Sequence, residues 1–289
     1  MAKLLIIADL EGKGHATPRG LELAHKLGVD AEVVAFAYAS LDRLGIGKTE
    51  QAAVRTRLLD ERRRVVQARI DKHRESGQKV GLTVAWEKDI HKWINKACAG
   101  HTYLAVIKTG HRSDSLVHTS TDWQLLRECP APVLIVAAKK WHRTRPVLVT
   151  LDLGTTVAVK RKLNHRVLQS GQQLANALGV DLEIIAAIEI PTLLSDLDLV
   201  DPIAYTRKIR ESMAPHIKEL AEDHGLPEKS FHCKRGPVEK VITSRAAKVR
   251  AQIVVMGTVG RKGVRAHLLG NTAEKVLRHL KTDVLAIKP

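Results

Sequence analysis

Short apolar runs rich in valine and isoleucine alternate along the chain with longer stretches whose apolar residues return at helical spacing. The short runs suit strands buried on both faces and the longer ones suit helices laid over them, so the pattern predicts parallel sheet covered by helices. In the second half the expected strands are Val147 to Leu151, Leu182 to Ile188, Phe231 to Lys234, Gln252 to Met256 and Asp283 to Ile287. Helices are expected between them, over 158–178, 202–224, 237–249 and 271–281. The first half offers strands at Leu4 to Ala8, Glu32 to Ala37, Thr83 to Trp86, Tyr103 to Lys108 and Val133 to Ala137. Gly28 and Gly179 follow helical segments where a left-handed cap is expected, and Pro202 and Pro237 suit first helical turns.

The pattern also repeats. LGVDAEVVAFAYA from Leu27 is echoed by LGVDLEIIAAIEI from Leu178, and LLIIADL ending at Leu10 by VLVTLDL ending at Leu153. LLRECPAPVLIV from Leu125 then matches VLRHLKTDVLAI from Val276. Matches in the same order imply one fold used twice, as two α/β domains over 1–142 and 143–289, joined within the basic segment KKWHRTRP from Lys139 to Pro146.

Candidate chemistry concentrates in Met256 to Val276, MGTVGRKGVRAHLLGNTAEKV, a glycine-rich loop between an expected strand and an expected helix. In open parallel sheets ligands bind beyond the carboxyl ends of the strands. Glycines allow close backbone approach and positive φ, and helix N-terminal amides favour phosphate. Arg261, Lys262 and Arg265 add positive charge, so the loop reads as a holder for a phosphate chain. It is not the common phosphate loop. DRLGIGKT, Asp42 to Thr49, begins with aspartate where that motif needs glycine and reads as a surface turn, and Gly12-Lys13-Gly14 lacks the third glycine of a dinucleotide fingerprint.

The pattern GxxG-x9-G followed by Asn-Thr, at Gly257, Gly260, Gly270, Asn271 and Thr272, accompanies Asp152 at the end of a strand. Together these resemble the ATP-binding branch of the universal stress protein family, in its tandem two-domain form, and the resemblance runs the length of the chain. That motif normally has serine or threonine directly after the last glycine. Here Asn271 stands in that place, and its amide can also donate to phosphate.

The resemblance implies two doubly wound domains, each a five-stranded parallel sheet with helices on both faces. It implies ATP, with Mg2+, in the second half, at Thr150, Leu151, Asp152, Ile188, Met256, Gly257, Gly260, Arg261, Gly270, Asn271 and Thr272. Asp152 would face the adenosine and Ile188 the base, although a turn cap and a core residue are their plain alternatives. A cytoplasmic role in stress and survival, extending to DNA-damage resistance, is implied too. So is pairing of last strands, Val133 to Ala137 with Asp283 to Ile287, as an internal pseudo-dimer, with a homodimer as a further level. Aligning the repeat puts Lys108, His111 and Thr119 at the places of Gly257, Gly260 and Gly270, so the first half is not expected to cradle a triphosphate. Asp9 keeps the place of Asp152 and reads as a cap.

Composition narrows the rest. At 289 residues and 44% hydrophobic the chain can build substantial cores. No apolar run approaches the roughly 18 residues of a membrane span, and LLIIA is cut off by Asp9, so a cytoplasmic location is the default expectation. Three cysteines without framework spacing predict reduced thiols and no disulfide. A net charge of +16 attracts phosphates, nucleic acid and anionic membrane faces. The densest basic stretch, Arg55 to Arg74, nevertheless carries Leu58, Leu59, Val65, Val66 and Ile70 at helical spacing and reads as a solvated helix face.

No GxSxG elbow, CxxC pair or HExxH is present, so neither hydrolytic catalysis beyond weak ATP turnover nor a metal site is expected. His267 and His279 read as exposed helix residues, and Trp123 as core beneath the altered loop of the first half. The expected function is therefore an adenine-nucleotide-binding stress protein. Its rivals are a nucleic-acid-associated basic protein without nucleotide binding and a small-molecule or lipid-binding module.

Overall fold

The apolar runs fold as strands whose pattern of burial explains their composition. In the computed structural model, which describes residues 2–10, 14–110, 120–137, 143–191, 200–258 and 269–289, the chain separates into two units, Met1–Ala138 and Lys139–Pro289. The first unit contains β1 (Lys3–Ile7), α1 (Ala16–Leu27), β2 (Asp30–Ala37), α2 (Lys48–His73) and β3 (Val80–Trp86). It continues with α3 (Ile90–Gly100), β4 (Tyr103–Thr109), α4 (Ser120–Glu128) and β5 (Val133–Val136). The second contains β6 (Val147–Thr150), α5 (Ala158–Leu178), β7 (Leu182–Ile188), α6 (Pro202–His224) and β8 (Phe231–Arg235). It ends with α7 (Val238–Val249), β9 (Ile253–Gly257), α8 (Asn271–His279) and β10 (Asp283–Ile287).

Within the first unit the strand order is β3-β2-β1-β4-β5, and within the second β10-β9-β6-β7-β8, with every one of these neighbours parallel. Each unit is thus a doubly wound five-stranded sheet. Every residue of β6 and of β10 is buried, which requires cover on both faces and accounts for their unbroken apolar runs. Edge strand β8 buries only Phe231 and carries exposed His232, Lys234 and Arg235, charges that discourage edge pairing.

Each sheet is held against its first helix by the same device. A Cβ on Gly20 in α1 would lie 2.7 Å from Ile6 of β1, and one on Gly171 in α5 would lie 2.1 Å from Val149 of β6. Both glycines let helix and strand touch, and they fall at matched places in the repeat. Gly28 and Gly179 close α1 and α5 at φ 66° and 65°, the left-handed caps expected of them. Pro202 opens α6, where the Asp201 carboxylate accepts from the amides of Ile203 and Ala204 at 2.7 Å. Pro237 stands one residue before α7, at its N-cap, where a missing N–H is equally harmless.

Candidate functional site

In each unit the order of strands reverses between two central neighbours, β1 and β4 in the first and β6 and β9 in the second. Such a switch point leaves a crevice at the carboxyl ends, because the connections leave in opposite directions. In the second unit the crevice is a cavity. Thr150, Leu151 and Asp152 bring β6 to its rim, and Met256 and Gly257 bring β9. Ile185 and Ala187 of β7, Ile242 of α7 and Ala273 and Val276 of α8 give it an apolar wall, while Thr272 adds a hydroxyl.

Asp152 is fixed by its backbone and half exposed at its carboxylate. Its N–H donates to Asn164 Oδ1 at 3.1 Å, and its carbonyl accepts from Asn164 Nδ2 at 3.0 Å. The carboxylate, half exposed, lies 3.5 Å from the ammonium of Lys160, itself a nearly buried residue in the first turn of α5 that also lines the cavity. Buried His216 of α6 lies with Nδ1 3.2 Å from the carbonyl of Leu153, and burial lowers its pKa from 6.5. Neutral His216 donates that hydrogen bond and so steadies the turn that follows Asp152.

Of the residues read from the sequence, Thr150, Leu151, Asp152, Met256, Gly257 and Thr272 meet at this cavity. Ile188 does not line it. It is 1% exposed, one position out of phase with Ile185 and Ala187, so strand alternation turns it into the core. Gly270 is buried as the N-cap of α8 with φ −66°, and its N–H donates to the Thr258 carbonyl at 2.8 Å. Asn271 is exposed at the helix start. Gly260 and Arg261 lie outside the described residues, as do Lys262, Arg265 and His267.

Neither described glycine of the motif adopts positive φ. Gly257 is needed for space instead, since a Cβ there would stand 2.7 Å from Leu163. Lys160 and Asn164 escaped the sequence reading because nothing distinguishes one lysine among 47 basic residues until the fold buries it.

Universal stress protein E of Salmonella typhi is 31% identical over 246 residues, spanning 83% of this chain and 78% of that one. The model of the universal stress protein family matches residues 147–288. The chain belongs to the universal stress protein family. A universal stress protein E homolog of Haemophilus influenzae is 28% identical over 99% of this chain and 96% of its own. Among solved structures, a functionally unknown protein from Pseudomonas aeruginosa PAO1 gives a TM-score of 0.71 at 23% identity, covering 100% of this chain and 93% of that one. A universal stress protein from Archaeoglobus fulgidus gives 0.68 at 19%, covering 99% and 98%. These two likenesses bear on the fold, which is that of a tandem universal stress protein. No helix among the described residues is long and apolar enough to cross a membrane.

At the matching place in the first unit of this universal stress protein the described side chains differ and bond within the protein. The strand ladders correct the alignment of the repeat by one residue: Thr109 pairs with Val136 as Gly257 pairs with Ile287, so Thr109, not Lys108, takes the place of Gly257. One residue decides which face a side chain joins. The Thr109 hydroxyl accepts from the amides of His15 and Ala16 at 2.9 and 2.8 Å, occupying the start of α1. Lys108 takes the place of Met256, and Asp122 that of Ala273, and they form a buried ion pair at 2.6 Å.

Arg62 of α2 donates to the carbonyls of Ala8, Asp9 and Leu10, and Arg69 to that of Gly14. These two arginines therefore turn inward from the helix face expected to be solvated. Asp9 lies against Gly14 and makes no side-chain cap to α1, whose first amides Thr109 already satisfies. His111 and Thr119 lie outside the described residues.

Proposed function

We propose that this stress protein works by binding an adenine nucleotide in the second unit, between β6 and β9, and that binding rather than turnover is its contribution to the stress response. One observation carries the reading: Gly257, Met256 and Ala273 line a cavity in the second unit, where the first unit carries Thr109, Lys108 and Asp122, bonded to one another or to the start of α1.

The lining fits the ligand. The apolar wall of Ile185, Ala187, Met256 and Ala273 suits a base, the Asp152 carboxylate suits ribose hydroxyls, and the Lys160 ammonium and Thr272 hydroxyl suit phosphate oxygens. Bound ATP would bring Mg2+ on its own phosphates, the usual arrangement for that ion.

Calorimetric titration of ATP with magnesium into the intact protein tests this, beside a Met256→Lys, Ala273→Asp double variant that copies the ion pair of the first unit. Saturable heat from the parent protein and at least about tenfold weaker binding by the variant are expected, a difference of about 1.4 kcal/mol. No heat from the parent, or equal affinity in a natively folded variant, would refute the proposal.

A further inference from the structure

We infer that Cys98 and Cys129 form a reversible modification site in the first unit, where a hydroperoxide converts the two thiols into an intramolecular disulfide. The inference is independent of nucleotide binding. Thirty-one positions separate the two cysteines, yet their sulfurs lie 3.8 Å apart. That is contact distance. A disulfide needs about 2.0 Å, so the two sulfurs have under about 2 Å left to close.

The frame around them is aligned for it. Asn95, one turn before Cys98 on α3, donates to the Glu128 carboxylate at 3.3 Å, so α3 runs beside the end of α4. The Cys129 N–H continues α4 by donating to Leu125 at 3.0 Å, which holds its Cα in place.

Exposure assigns the roles. Cys98 is half-buried and reachable by a small oxidant, whereas Cys129 is fully buried and reachable only by its neighbour. The Cys98 thiolate attacks one peroxide oxygen. The O–O bond breaks, the other oxygen leaves as alcohol or water with a proton, and Cys98 becomes a sulfenic acid. The Cys129 sulfur then attacks the Cys98 sulfur. The S–O bond breaks, hydroxide leaves with the Cys129 proton as water, and the S–S bond forms. The two thiols lose two electrons and two protons to the peroxide, and a thiol reductant reverses the change. Cys233, in the other unit, provides a comparison: burial raises its pKa and its sulfur lies 3.9 Å from that of Met213.

Hydrogen peroxide treatment of the reduced full chain, followed by intact mass measurement and non-reducing peptide mapping, tests the site. The expected product is lighter by about 2 Da, carries a Cys98–Cys129 linked peptide and reverts with dithiothreitol. In Cys129→Ser, Cys98 is expected to stop at the sulfenic acid, about 16 Da heavier and trapped by dimedone. An unchanged mass in the parent protein, or a disulfide formed between chains or through Cys233, would overturn the inference. If the serine variant does not fold, the parent protein's mass and peptide map decide the matter alone.

Discussion

Lys108 and Asp122 meet at 2.6 Å with side chains 9% and 0% exposed, at places where the second repeat has Met256 and Ala273. A pair so buried gives little net stability, because loss of hydration offsets the attraction, but removing one partner strands the other charge. Asp122→Ala is therefore expected to cost about 3–5 kcal/mol, while Lys108→Met together with Asp122→Ala recovers most of it. Urea unfolding read by Trp123, adjacent to Asp122 and 8% exposed, measures both. Equal stability of the two variants would refute the argument. At this scale sequence was informative where a residue type has few uses, as with glycine at 257 and aspartate at 152. It was silent on Lys160 and Asn164, whose importance comes from burial. It misplaced Lys108 by one position because the two loops differ in length and only the strand ladders fix their register.

Elements were the most legible level. Expected limits for the helices over 158–178 and 202–224 and for the strands Leu182 to Ile188 and Asp283 to Ile287 coincide with the folded ones, since helical periodicity and β-branched runs are strong local signals. The touching glycines 20 and 171 were not legible, because a glycine inside a helix carries no local mark of what lies beneath it. Nor was the inward turn of Arg62 and Arg69, on a helix that buries only Val66 and Ile70.

Helix α6 carries histidines whose burial makes stability depend on pH. His216 donates to the Leu153 carbonyl in the turn after Asp152, and its pKa is lowered by burial and by Arg161 and His165, against the hydrogen bond to Leu153 and the charge of Glu219. His224 on the same helix is lowered by burial and by His165, against Asp223. As pH falls through 6.5 the unfolded chain takes up these protons before the folded chain does, so stability declines below that pH and levels off once the folded groups are charged. Urea midpoints between pH 7.5 and about 5 are expected to fall, and His216→Gln to remove part of that slope. Parallel slopes in the two proteins would exclude His216 as a contributor.

At the scale of the whole molecule, each compact unit has five strands and a buried core of its own, and each is expected to unfold as a cooperative body. Trp86, Trp93 and Trp123 all belong to the first unit, and Trp141→Phe would leave fluorescence reporting on that unit alone, while far-ultraviolet circular dichroism reports on both. A ligand raises the stability only of the body that holds it. At a hundred times its dissociation constant, nucleotide adds about 2.7 kcal/mol, or roughly 5–10 °C for a domain of this size. Heating the Trp141→Phe protein with ATP and magnesium is therefore expected to raise the dichroism transition of the second unit and leave the tryptophan transition where it was. Peroxide is expected to do the reverse, since closing the loop between Cys98 and Cys129 restricts the unfolded chain of the first unit alone. A tryptophan transition that moved with nucleotide while the second unit's dichroism transition stayed in place would locate binding in the first unit, and that contradicts an assignment that puts the nucleotide between β6 and β9.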